Sequence, residues 1–259
     1  MKQSLVIVKV GGKIVEQPET LERLLKDFKA IPGAKLLVHG GGRSATAMAS
    51  LLGIESKMVD GRRITDADTL RVVTMVYGGL VNKNIVAGLQ AHGVNALGLT
   101  GADMNVIRSH KRPVKDVDYG FVGDVDEVNA EFLGKLISEG VVPVMAPLTH
   151  DKQGHLLNTN ADTIAGETAK ALARLFDVTL TFCFEKKGVL RDENDDDSVI
   201  PHLTRTDFDT LVADGIIQGG MIPKLENSFQ AISAGVSRVI ITQATAIDGT
   251  EGTIIAEKE

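Results

Sequence analysis

Short apolar runs alternate along the chain with segments in which apolar residues return every three or four positions. Residues 5–10 form the first run and read as a strand. Residues 19–30 follow as a helix, with Leu21, Leu24, Leu25 and Phe28 on one face. Residues 35–39, 40–42 and 44–52 repeat the unit as strand, glycine turn and helix. The alternation continues with strands at 96–99, 141–146, 179–184 and 239–242 and helices at 130–139, 162–176, 207–213 and 224–234. Strands separated by helices predict an α/β fold around a mainly parallel sheet.

Two segments break this rhythm. Residues 106–125 and 149–158 read as hairpins, the second turning at Asp151-Lys152-Gln153-Gly154, and such insertions often lie over active sites as lids. Residues 66–91 read as one long helix in which Lys83 is the only charge between Val72 and Gly88. A helix that is apolar nearly all round must be covered on all sides, as a central core helix or at a subunit interface. The Gly78-Gly79 pair would let two backbones approach closely, and the expected assembly is a homodimer. A soft boundary at Phe176 and Asp177 divides the chain into an N-terminal part, 1–176, and a C-terminal part, 177–259.

Composition narrows the class of protein. The 259 residues are 43% hydrophobic and 24% charged, which excludes a disordered or fibrous chain. The net charge of −6 offers no basic stripe for nucleic acid. Much of it is local to Asp192, Glu193, Asp195, Asp196 and Asp197, without which the chain is nearly neutral. That run lacks the Gly and trailing Glu of a calcium loop and reads as a solvated surface loop. The single Cys183 permits no intrachain disulfide and reads as a buried thiol in a reducing cytoplasm. The N-terminal apolar run is too short for an export signal, and no uninterrupted apolar segment approaches a membrane span of about 18 residues. The chain is expected in the cytoplasm, with no membrane or nucleic-acid partner.

Several motifs could hold an anion. Lys9-Val10-Gly11-Gly12-Lys13 ends a strand in a cation and two glycines, whose amides can approach a phosphate closely. His39-Gly40-Gly41-Gly42 stands between a strand and a helix N-terminus, which together form a second cradle. Gly40, Gly42 and Ala45, with Asp60 beyond them, also spell a weak dinucleotide fingerprint, so an NAD-dependent oxidoreductase is a rival reading. Gly134-Lys135 is followed by Leu136, so it is not a P-loop. Gly61-Arg62-Arg63-Ile64-Thr65 presents two guanidinium groups suited to a carboxylate. Asn158-Thr159-Asn160-Ala161-Asp162 can cap a helix, bind a substrate through its amides and hold nearby lysines. In Gly219-Gly220-Met221-Ile222-Pro223-Lys224 a cation stands at a helix N-terminus, where it is disfavoured unless an anion is present. The segment Glu185-Lys186-Lys187-Gly188-Val189-Leu190 could close over a nucleotide or be a plain charged turn. The histidines at 92, 110, 150, 155 and 202 show no metal-ligand spacing.

In order and over essentially the whole chain, KVGGK at 9–13, HGGG at 39–42, GRRIT at 61–65, LLNTNAD at 156–162 and GGMIPK at 219–224 resemble the amino acid kinase family. The resemblance implies a three-layer α/β/α sandwich. Its N-terminal lobe would bind an acylated amino acid and dimerise, and its C-terminal lobe would bind ATP, with Mg²⁺ carried by the nucleotide. It implies transfer of the γ-phosphoryl group to the side-chain carboxylate of an N-acylglutamate, acetyl by default and succinyl as the alternative. By the same resemblance Lys9 and Lys224 stabilise the transferring phosphoryl group, Asp162 orients both lysines, and Gly11, Gly12 and Gly41 supply backbone donors. Gly41, Gly42, Arg63, Asn158 and Asn160 would bind the acylglutamate, with Arg63 on its α-carboxylate. Gly11, Glu185, Lys187, Gly188, Leu190, Ile217 and Gln218 would line the nucleotide, although relatives often begin that loop with Asp-Val where this chain has Glu185-Lys186. Arginine-inhibited hexameric relatives carry a further N-terminal helix, so the resemblance implies an arginine-insensitive homodimer here.

Overall fold

Strand Ser4–Val10 lies inside an eight-stranded sheet, paired in parallel with Ala34–His39 on one side and Asp177–Phe184 on the other. The sheet extends past Ala34–His39 through Val142–Met145 to Ala96–Leu99 at one edge. On the other side it runs through Arg238–Gln243 and Thr253–Ile255 to His202–Leu203. Thr253–Ile255 is antiparallel to Arg238–Gln243, and the other neighbours are parallel. The computed structural model describes residues 2–59 and 61–256, so Met1, Asp60 and the last three residues of the chain lie outside it. Because Asp177–Phe184 pairs with the first strand, one continuous sheet crosses the boundary expected at residue 176.

The period-two alternation of a strand sends successive side chains to opposite faces of the sheet, and the two cores follow it. Leu5, Ile7, Leu36, Val38, Leu180 and Phe182 pack with helices Ala130–Ser138, Ala161–Leu172, Arg205–Ala213 and Met221–Ser233. Val8, Val10, Leu37 and Cys183 pack on the other face with Pro18–Ala30, Gly42–Leu51 and the long helix. This is the expected α/β/α sandwich. Leu24, Leu25 and Phe28 on the predicted face of Pro18–Ala30 are almost completely buried, each stabilising the layer by roughly 1.5–3 kcal/mol relative to exposure. Local signals set the helix ends. Thr204 and Asp207 form a capping box, and Asn129 and Asn160 cap their helices through side-chain oxygens.

Two expectations change in detail. The long helix runs as Ala67–Val73, a π-helical stretch Thr74–Val81, and Asn82–Ala91. Its 25 residues have the length and mean hydropathy of a membrane-crossing helix. Val72, Val73, Val76, Tyr77, Val81, Ile85 and Leu89 are nevertheless buried against the sheet side, while Met75 and Leu80 are exposed. It is therefore a layer helix covered on one side within the chain, not a central core helix. The two hairpins form as expected, Ile107–Lys111 with Gly123–Val128 and Leu148–His150 with Leu156–Asn158. They join in a separate four-stranded sheet. Bridge Thr65↔Gly120 ties the first hairpin to the GRRIT segment, and Val122↔Asn158 ties the two hairpins to each other.

Candidate active site

The first chemistry-bearing residue is placed by strand parity. Lys9 shares the face of Leu5 and Ile7, so it points towards helices Ala161–Leu172 and Met221–Ser233. Only 7% of it is exposed, and its Nζ lies 2.7 Å from Asp162 Oδ1, an ion pair whose angles are not those of a hydrogen bond. An ammonium group this buried needs such a partner. Asp162 stands in the first helical turn because Asn160 Oδ1 caps the helix, accepting from the amides of Asp162 (2.7 Å) and Thr163 (3.2 Å).

Lys224 enters from the first turn of Met221–Ser233, its Nζ 3.3 Å from the centroid of the Phe184 ring, with Lys9 Nζ 5.3 Å from the same centroid. Burial lowers the pKa of Lys224, Asp162 raises it and the charge of Lys9 lowers it. Two cations thus share one carboxylate. The resulting positive centre lies at the carboxyl ends of Ser4–Val10 and Asp177–Phe184, where the sheet order changes direction and α/β folds place their ligands.

The two glycine motifs meet beside this centre. A Cβ on Gly40 would lie 3.0 Å from Gly12 N, and one on Gly12 would lie 3.2 Å from Gly41 N and 3.3 Å from Gly42 N. Only glycine allows the two backbones this close, and the contact gathers their amides in one place. Gly11 N-caps a short helix, Gly12–Glu16, where the apolar pattern predicts no element. Glu16 Oε1 accepts from Ser44 N at 2.8 Å, so one amide of the second cradle is already occupied.

A cavity of about 200 Å³ opens next to the glycines and brings together Gly41, Gly42, Arg63, Asn158 and Asn160, all five residues expected to hold the acylated substrate. Arg63 is 8% exposed and donates to Ser56 Oγ (2.7 Å), Gly42 O (2.8 Å) and Thr46 Oγ1 (2.8 Å). Asn158 Nδ2 donates to Thr65 Oγ1 at 3.0 Å. Sequence reasoning missed Tyr77, Met58 and Pro147 in the same wall. A signal existed for Tyr77, the sole aromatic residue between Val72 and Gly88.

A second cavity of about 660 Å³ is lined by Gly11, Lys13, Arg43 and Glu185 among others, with Arg63 and Gly42 in the wall it shares with the first. Glu185 pairs with Lys13 (3.0 Å) and Arg43 (3.5 Å), and these cations lower its carboxyl pKa. The acidic loop is exposed, as expected, but two of its carboxylates have partners: Lys186 pairs with Asp196 and Lys187 with Asp197. Gly188 is tightly packed, since a Cβ there would lie 2.8 Å from Thr253 Oγ1, and Leu190 is half-buried. The Ile217 side chain is 2% exposed in the core and lines neither of these cavities. Gln218 is exposed, and its Nε2 donates to Gly215 O.

The sequence of residues 4–243 matches the amino acid kinase family. The chain belongs to that family. An acetylglutamate kinase of Phocaeicola vulgatus is 77% identical over 98% of this chain and 99% of its own, and one of Bacteroides thetaiotaomicron is 76% identical over the same shares. An acetylglutamate kinase of the distant Methanopyrus kandleri is still 41% identical over 96% of this chain and 99% of its own. Among solved structures, smu.665 from Streptococcus mutans superposes with a TM-score of 0.80 at 28% identity, over 98% of this chain and 99% of that one. A Neisseria gonorrhoeae N-acetylglutamate synthase shares the amino acid kinase fold, with a TM-score of 0.83 at 20% identity over 99% of this chain and 60% of that one.

Proposed function

We propose that the chain transfers the γ-phosphoryl group of ATP to the side-chain carboxylate of N-acetyl-L-glutamate, giving N-acetyl-L-glutamyl 5-phosphate and ADP in arginine biosynthesis. The carrying observation is the convergence of Lys9, Asp162 and Lys224 on one centre, with Asp162 following Asn160 and Ala161 in the wall of the cavity that Gly41, Gly42, Arg63 and Asn158 also line. Relatives at 73–77% identity bear the name acetylglutamate kinase, which favours neither a succinyl substrate nor the oxidoreductase reading.

ATP supplies the electrophilic phosphorus when bound, and Mg²⁺ travels with its phosphates. A centre with two lysines to one carboxylate fits such a polyanion. Lys9 and Lys224 neutralise the charge spread over the transferring group, and Asp162 holds Lys9 in position. Amides of Gly11, Gly12 and Gly41 add donors. The nucleophile is a carboxylate of ordinary pKa about 4.3, already ionised at neutral pH, so no protein base is needed. Gly42, Arg63, Asn158 and Asn160 hold the acylglutamate at the required distance. Glu185, Lys187, Gly188, Leu190, Ile217 and Gln218 line the nucleotide. In this reading residues 1–176 form the acylglutamate lobe and residues 177–259 the nucleotide lobe, and two copies pair through the exposed side of the long helix.

The test is ADP release with MgATP and N-acetylglutamate, free glutamate, aspartate or UMP, with the acyl phosphate trapped by hydroxylamine. Hydroxamate is expected from the acylglutamate alone, and Lys9→Ala or Lys224→Ala should each reduce its rate by roughly 10²–10³ while the fold persists. Absence of hydroxamate in the wild type, or near-normal rates in both variants, would sink the reading.

A further inference from the structure

Arg62 and Arg63 both line the acylglutamate cavity, but the structure uses them differently. Adjacent residues of a strand face opposite sides, and the two form the short strand Arg62–Arg63. Arg63 turns to protein acceptors and commits three of its five N–H donors to Ser56, Gly42 and Thr46. The half-buried Arg62 guanidinium makes no hydrogen bond or ion pair with any described residue.

Its surroundings do not explain this. Among the described residues Asp124 is the one carboxylate near Arg62, and Arg112 already holds it, donating from Nε to both oxygens at 3.2 and 3.1 Å and from Nη2 to Oδ1. Arg112 is itself fixed over the Tyr119 ring, 5.5 Å from the centroid. Arg62 thus stands beside a second guanidinium, with the local acid taken. Burial and the Arg112 charge both disfavour its charged form. A guanidinium cannot shed its proton, so a free, planar fork of donors carried by a residue that lines the cavity is matched by an anion with two oxygens.

We propose that Arg62 is a second carboxylate-binding residue of this cavity and a determinant of which acylglutamate enters. The proposal rests on the acylglutamate reading above. The reacting carboxylate belongs to Lys9 and Lys224, and Arg63, expected on the α-carboxylate, keeps only two uncommitted N–H donors for it, so two sources remain for the one at Arg62. These are the α-carboxylate of the glutamate and, on a dicarboxylic acyl group, its terminal carboxylate. Both present the same chemistry to a guanidinium.

The experiment compares wild type, Arg62→Gln and Arg62→Lys with N-acetylglutamate and N-succinylglutamate, by steady-state kinetics at saturating MgATP and by calorimetric binding of each acylglutamate. Arg62→Gln should raise KM or Kd for the bound acylglutamate roughly ten- to hundredfold, with KM for ATP unchanged and a smaller change in kcat. Arg62→Lys, which keeps the charge but loses the fork, should recover part of the loss. An equal rise for both ligands assigns the α-carboxylate, and a rise confined to the succinyl compound assigns the acyl carboxylate. Unchanged affinity for both in Arg62→Gln overturns the proposal, as does a fall in kcat alone. Should Arg62→Gln melt early, Arg62→Lys decides, and wild-type affinity with both ligands would overturn the proposal. A wild type that binds an acylglutamate without turning it over removes the kinase reading and leaves Arg62 testable by binding. One that binds neither ligand overturns both.

Discussion

His39 is the residue in which sequence and environment diverge most. It ends a strand and opens the glycine turn of the second anion cradle. Its ring is completely buried, with Nδ1 donating to Gly40 O at 2.7 Å and Nε2 accepting from Asn82 Nδ2 at 3.1 Å. Asn82 in turn donates to Val144 O, so the imidazole fastens the glycine turn to the long helix and to a neighbouring strand. Burial, with the Lys83 charge nearby, lowers its pKa from 6.5 to about 4. Between those values the unfolded chain binds a proton that the native state refuses, so stability falls as pH falls. The slope approaches 1.4 kcal/mol per pH unit and amounts to roughly 3 kcal/mol over the window. Urea melts at pH 7 and pH 4.5 should therefore differ more for wild type than for His39→Asn, and equal differences would refute the assignment. Cys183 is a simpler case. Burial pushes its thiol up to about 12, which makes it an inert part of the core.

At the scale of elements, the π-helical stretch Thr74–Val81 is where a helix bends its register to serve a site. It sets the Tyr77 ring against Gly41, whose φ of 155° and missing Cβ admit the contact, since a Cβ would lie 3.0 Å from Tyr77 Cδ1. Gly41→Ala should displace either the ring or the glycine turn. We expect a loss of roughly 1–3 kcal/mol in stability and about 10² in kcat/KM for the acylglutamate, read by denaturant melts and by the hydroxamate assay. A Gly41→Ala enzyme with wild-type kinetics would show that the turn does not position substrate. The four-stranded sheet is the other element with a task, because it brings Asn158 and, through the Thr65↔Gly120 bridge, the GRRIT segment to the cavity. The hairpins are legible as local pairs from their turn residues. Their union into one sheet depends on contacts distant in sequence.

For the whole molecule, the exposed apolar residues Met75 and Leu80 on the long helix, with Leu97 on the edge strand Ala96–Leu99, mark the side left uncovered within one chain. Apolar side chains grouped on a surface are stabilised by a second partner. On the homodimer reading, wild type should scatter light as a dimer at micromolar concentration, and Leu80→Arg should shift it towards monomer with little change in thermal stability. A monomeric wild type would rule the pairing out.

The alternation of strands and helices, the α/β class with its mainly parallel sheet, and the order of the glycine, arginine and asparagine motifs are legible in the sequence. These are local: periods of 2 and 3.6, caps and turns depend on neighbouring residues. Only distant contacts settle which of two adjacent arginines is committed to protein acceptors and which has no partner among the described residues. Tertiary structure also decided that Asp162 meets Lys9 across 153 positions of chain, that His39 is structural, and that the long helix is covered on one side only. Each of these depends on what packs opposite a residue, and burial, charge pairing and close backbone approach exist only once distant segments share a surface.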